Sequence, residues 1–329
     1  MTAVHPQICT LASPHSPSST AETYVDAALT FEAGPEEVRI WNGRDEDHKM
    51  EKDGFELCNV SLPQEEVDWY DPPAVAATLY PMAEKALLDL MPGSNKVIVF
   101  DHIARNAGRV EQEMREAGLT QELSSEEDAA NGLKTQLLAV PGRLVHGDYT
   151  ARSGDTRTRE LLAPCESAER IEAAMQGRVA LVNVWVPLCP VLRDPLALAE
   201  WQTCRPEDVI RVKRIHPHRT GEIYHGLRAA ERQRWVYFPG MEPGEVLVFK
   251  TYDSAEDRPR FVIHSAFVDP SSPPSAPARE SIELRCIVFF SEVPEDFGAQ
   301  FVPPHLDPSS PDHDLTAPKV EKSEAMPEW

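Results

Sequence analysis

His146 and Asp148 stand two residues apart in Arg143-Leu-Val-His146-Gly-Asp148-Tyr-Thr150. On a strand, positions i and i+2 share a face, so an imidazole and a carboxylate there can reach one ion together. A bare His-x-Asp is more often a surface strand pair than a metal site. The same spacing recurs at His305-Leu-Asp307, among prolines, where it is read as chance. The first pair gains weight from His264, set in the apolar run Arg260-Phe-Val-Ile-His264-Ser-Ala-Phe267. Burying a histidine costs desolvation unless its nitrogens find a metal or a backbone partner. Two histidines and one carboxylate form the facial set that leaves three positions of Fe(II) open for a cosubstrate and O2. Arg279-Glu-Ser281 opens the last strong apolar run. A guanidinium stays charged when buried and grips a carboxylate through two parallel hydrogen bonds, and the Ser281 hydroxyl points the same way. That suits the distal carboxylate of 2-oxoglutarate. Arg285 shares the strand face and is the reserve for this clamp.

Two other motifs compete. His216-Pro-His218-Arg-Thr-Gly-Glu222 imitates the metal signature of cupins. Pro217 would lie between the two ligands and cannot donate to a central ladder, which argues against it. Asp101-His102 follows an apolar strand and reads as fixing a strand end or loop.

Short apolar runs must carry these residues. Arg143–Thr150, Arg178–Pro187, Gln233–Phe238, Glu245–Tyr252, Arg260–Phe267 and Ser281–Phe290 are rich in Val, Ile, Phe and Trp, with Pro, Gly and Asp clusters between them. Serial short strands with turn signals predict an antiparallel sandwich or jelly roll. Earlier, Val38–Trp41, Phe55–Leu57 and Lys96–Phe100 read as strands, and 166–176 as a helix. Helical spacing over Pro73–Leu90 predicts a helix with a kink or fresh start at Pro81. The organisation expected is a flexible segment 1–20, one oxygenase domain 21–294 and a mobile acidic tail 295–329. Within the domain, 21–140 is an α/β part and 141–294 the jelly-roll core.

A formal charge of −22 and the lack of any dense basic run argue against a nucleic-acid partner. The six cysteines form no CxxC pair, which excludes a zinc ribbon. No apolar run is long enough for a membrane span and no signal peptide is visible, so a cytoplasmic location and a small-molecule substrate are expected.

Seven blocks carry a family resemblance: Val99-Phe-Asp-His-Ile-Ala-Arg105, Val145-His-Gly-Asp148, Asn183-Val-Trp-Val-Pro-Leu188, Asp194-Pro-Leu-Ala197, Pro217-His-Arg-Thr-Gly-Glu-Ile-Tyr224, Lys250-Thr-Tyr-Asp-Ser254 and Pro277-Ala-Arg-Glu-Ser-Ile-Glu-Leu-Arg285. On these the chain resembles the microbial family that groups the cephamycin methoxylation protein with gibberellin desaturase and aspergillic-acid-type hydroxylase/desaturases. The resemblance implies an α+β, mainly β fold, a double-stranded β-helix (jelly roll) with flanking helices. It implies Fe(II), 2-oxoglutarate and O2, and hydroxylation, desaturation or oxidative cyclisation of a specialised metabolite through a ferryl species. It carries the metal role onto His146, Asp148 and His264, and the 2-oxoglutarate role onto Arg279, with Ser281 and Asn183 as supporting contacts. Where the family often has Asn-Val-Trp-Arg, this chain has Val186. Tyr149, Trp185 and Tyr224 are candidates for the substrate pocket. The rival readings are a catalytically silent jelly-roll binding protein and a metal hydrolase using the same three ligands.

Overall fold

The computed structural model describes residues 7–14, 33–63, 66–106, 108–110, 112, 138–139, 141–215, 219–226, 232–310 and 319–322. Along the chain run β1 (Gln7–Pro14), β2 (Ala33–Asn42), β3 (Phe55–Asn59), α1 (Pro72–Leu90), β4 (Lys96–Asn106), β5 (Leu138–Ala139) and β6 (His146–Gly147). Then come α2 (Ala151–Leu162), α3 (Ala168–Met175), β7 (Val179–Pro187), β8 (Leu196–Ala199), β9 (Val209–Ile215) and β10 (Thr220–Gly226). β11 (Trp235–Tyr237), β12 (Glu245–Asp253), β13 (His264–Ala266), β14 (Glu280–Phe289) and β15 (Lys319–Lys322) complete the order.

Two sheets result. The wide one is ordered β1-β2-β11-β8-β13-β6-β10-β9-β15, and the other β3-β12-β7-β14-β4-β5. Their central strands face each other as a jelly roll. Side chains alternate across β7 and β12, so each strand serves two cores. Val182, Val184 and Val248 pack towards α1, while Trp185, Leu247 and Phe249 meet Leu198 and Val236 of the wide sheet and Val262 just before β13. Burial on both faces is why these runs are apolar nearly throughout.

α1 begins where Asp71 accepts a hydrogen bond from the Ala74 amide at 3.2 Å, with prolines in its first turn. It is one helix across Pro81, with no fresh start there. Pro81 and Ala77, whose carbonyl loses its helical donor, both lie on the exposed side, where water can replace the missing bond.

Other differences from expectation are local. The runs 143–150 and 260–267 pair only over His146–Gly147 and His264–Ala266. β8, β9 and β10 lie in stretches not read as strands. Residues 7–14, within the lead-in expected to be flexible, pair with β2. Residues 295–310, placed in the tail, are packed: Phe297 is fully buried and Pro304–Leu306 forms a turn against β4. The motif residues His216, Pro217 and His218, and most of 108–135, lie outside the described residues.

Candidate metal centre

Strand pairing brings the three sequence-predicted ligands together. β6 lies between β13 and β10, so His264 and His225 each stand directly opposite His146. Asp148 follows as the chain leaves β6. The backbone carbonyl of Leu144 lies 2.7 Å from His146 Nδ1, and that of Val262 lies 3.0 Å from His264 Nδ1. A carbonyl only accepts, so both Nδ1 atoms carry the proton and both Nε2 atoms present lone pairs. Those Nε2 atoms stand 3.3 and 3.9 Å from Asp148 Oδ1. The two imidazole rings are 4.4 Å apart, centre to centre. Neighbouring ligands on an ion with bonds of about 2.1 Å stand about 3 Å apart, so a small inward movement would close the set.

Asn183, from β7 of the facing sheet, donates to Asp148 Oδ2 at 2.8 Å. This directs the other carboxylate oxygen, Oδ1, at the imidazoles. Burial pushes the Asp148 pKa up, but the contact with His146 and the charges of His264 and Arg285 outweigh it and hold the group well below the usual carboxylate range. Burial, then the charge of His146, lowers the His264 pKa and favours its neutral form. A carboxylate oxygen and two imidazole Nε2 atoms converge here, which is the donor set a divalent cation needs.

Beyond the triad, Arg279 is buried in front of β14. It donates to the Asp194 carbonyl at 2.5 Å and its guanidinium stands 5.3 Å from the centre of the Trp185 ring. Ser281 shares its strand face two residues on. It is 1% exposed, and among the described residues its Oγ has no hydrogen-bond partner. A buried hydroxyl left in this state costs about 1–3 kcal/mol, so a ligand acceptor beside Arg279 fits the site.

Arg285, the reserve clamp, is instead engaged by Asp101 at 2.7 Å and Glu283 at 3.1 Å. Trp185 belongs to the core between the sheets. Tyr149 is half-buried beside Asp148, and burial raises its pKa. Tyr224 lines a small pocket with Tyr149, Thr251 and Phe261. It alternates with His225 on β10, so it falls on the opposite face of the wide sheet, stacked on Phe261 at 4.6 Å. The Asp101–Arg285–Glu283 cluster escaped the sequence reading, although Glu283 and Arg285 share the strand face of Arg279.

Among the described residues a second trio, Glu46, His48 and Glu200, also brings metal-type donor atoms within 4.8 Å of one another. Here Arg234 already binds Glu200 at 2.6 Å and Glu46 at 2.8 Å.

A family model described as "Oxidoreductase/YMDC permease-like domain" matches residues 11–289. The chain belongs to this family. The alpha-ketoglutarate-dependent dioxygenase phiK of a fungal species is 28% identical over 260 residues, spanning 77% of this chain and 83% of its own. The hydroxylase/desaturase asaB of Aspergillus flavus is 36% identical over 143 residues, 39% of this chain and 63% of that protein. The Fe(II)/2-oxoglutarate-dependent dioxygenase nvfI of Aspergillus novofumigatus is 36% identical over 155 residues, 46% and 54% of the two chains. A solved structure of the iron and alpha-ketoglutarate-dependent endoperoxidase NvfI aligns with a TM-score of 0.66 at 24% identity, covering 88% of this chain and 99% of that one, a likeness of fold. This oxidoreductase is an Fe(II)/2-oxoglutarate-dependent dioxygenase by the class its relatives share.

Proposed function

We propose that His146, Asp148 and His264 hold the Fe(II) of this dioxygenase and that Arg279 and Ser281 hold the far carboxylate of 2-oxoglutarate. One observation carries the assignment: both Nδ1 protons are committed to backbone carbonyls, so both Nε2 lone pairs and Asp148 Oδ1 converge on one point. When bound, iron with 2-oxoglutarate and O2 supplies the oxidising chemistry.

The protein's own contribution is placement. Leu144 and Val262 fix the imidazole tautomers, and Asn183 fixes the carboxylate rotamer. Arg279 supplies a permanent positive charge, with Trp185 beneath its guanidinium and the Asp194 carbonyl fixing one of its N–H groups. Ser281 Oγ adds a hydrogen bond. Phe249, with its ring 4.7 Å from that of His264, and the core beneath it keep water from the inner side. The substrate class that fits is a small specialised metabolite, hydroxylated, desaturated or oxidatively cyclised, handled in the cytoplasm. Among the described residues no helix is long and apolar enough to cross a membrane. His146→Ala is expected to abolish substrate-dependent succinate formation. Turnover near that of the unaltered protein would refute the ligand assignment.

A further inference from the structure

Arg285 stands directly opposite Asn183 in the β7–β14 register, and Asn183 donates to Asp148 at 2.8 Å. The position of Arg285 is set by two carboxylates. One guanidinium nitrogen donates to Asp101 Oδ2 at 2.7 Å and another to Glu283 Oε1 at 3.1 Å. Asp101 sits where the β4–β14 register slips: Arg285 pairs with Asp101, but the next residue, Cys286, pairs with Val99. This bulge brings the Asp101 carboxylate to the guanidinium.

The other oxygen of Asp101 is met by a residue from far along the chain. His305, on the turn Pro304–Leu306, places Nδ1 3.2 Å from Asp101 Oδ1, and its side chain is 9% exposed. Its Nε2 lies 3.1 Å from His102 Nδ1 and 3.3 Å from the Tyr80 hydroxyl, which itself reaches His102 Nδ1 at 2.9 Å. The rings of His305 and His102 meet edge to face at 4.6 Å. Burial, then the charge of His305, holds the His102 pKa down at about 4. The imidazole of His305 is therefore gripped by α1 and β4 on one side and applied to Asp101 on the other.

We infer that His305 is a positioning residue of the iron site: it holds Asp101, Asp101 holds Arg285, and Arg285 stands opposite Asn183, which holds Asp148. Without His305, Asp101 turns towards solvent, and Arg285 is left to Glu283 alone and drawn from its place opposite Asn183.

This rests on the ligand assignment proposed above, and the test separates the two. Fe(II) dissociation constants are measured anaerobically with 2-oxoglutarate for the full-length protein, His305→Ala, Arg285→Met and the double variant. His305→Ala is expected to weaken Fe(II) binding about tenfold alone, the lower end for outer partners of metal ligands, and less than about twofold when Arg285→Met is present. Equal losses in both backgrounds, or affinity unchanged while the melting temperature falls, would overturn the inference. Should His305→Ala not fold, Asp101→Asn breaks the same link from its other end, and an unchanged affinity there overturns it equally. If the unaltered protein takes up no Fe(II), the ligand assignment fails first.

Discussion

Among the described residues, two places gather histidine and carboxylate donors within 4.8 Å, and their surroundings set them apart. At His146, Asp148 and His264 each outward-facing ring nitrogen is committed to a backbone carbonyl and the spare carboxylate oxygen to Asn183. What remains is three lone-pair donors turned towards one another. At Glu46, His48 and Glu200 the guanidinium of Arg234 binds both glutamates, and Asp53 lies 3.8 Å from His48 Nδ1. Burial, first among its causes, raises the Glu200 pKa, with Arg234 pulling it the other way. Proximity of donors is common to both; the uncompensated need for a cation belongs to the first alone.

The comparison breaks most sharply under substitution. Asp148→Ala is expected to reduce turnover by roughly a thousandfold or more, since an open-sided triad has no ligand to spare. His48→Ala is expected to leave turnover within about twofold while lowering stability by about 1–2 kcal/mol, the cost of a cavity beside Phe55 and Phe238. Succinate assays and thermal melts check both.

Next in size is the carboxylate's partner. Asn183→Ala is expected to weaken Fe(II) binding by roughly 10–100-fold with the fold intact, measured by anaerobic titration. A selective rise in the KM for 2-oxoglutarate would instead return Asn183 to the cosubstrate. Arg279→Ala is expected to show that complementary pattern. Its KM for 2-oxoglutarate should rise by roughly 10–100-fold, the value of one or two charge-assisted hydrogen bonds, with iron affinity little changed.

A smaller effect sharpens the second cluster. Arg234→Met leaves Glu46 and Glu200 facing each other without their cation, at a cost of about 1–2 kcal/mol after allowing for their partial exposure. Only in that variant is a divalent ion expected to bind there, read as a melting temperature that rises with added Mn(II). The smallest change is in pH. Because the His264 pKa is lowered, its imidazole stays neutral below the ordinary value of about 6.5, so iron retention should persist through that pH and fall only under more acidic conditions.

Much of this was legible in the sequence, for identifiable reasons. β7, β12 and β14 are buried on both faces, so their residues read as apolar runs. His146, Asp148, His264 and Arg279 were legible as candidates because each lies on or beside a strand that local composition marks. β9 and β10 were hidden, since their less buried positions carry Arg211, Lys213, Thr220 and Glu222 and dilute the apolar alternation. The face of β10 that carries Tyr224 was undetermined without the paired strand. A contact such as Asp101 with His305 joins residues with no local signal, and His305 stood in a stretch whose prolines and acids read as tail. Pro81 gave a real local signal, overridden because its missing donor faces outward.

The central claim is that one donor set, and not the other, is built for a metal. Anaerobic Fe(II) titration with 2-oxoglutarate on the unaltered protein, His146→Ala and His48→Ala tests it most directly. The account predicts one tightly held Fe(II) per chain in the unaltered protein and in His48→Ala, and none in His146→Ala. Iron retained by His146→Ala, or lost from a folded His48→Ala, would contradict it.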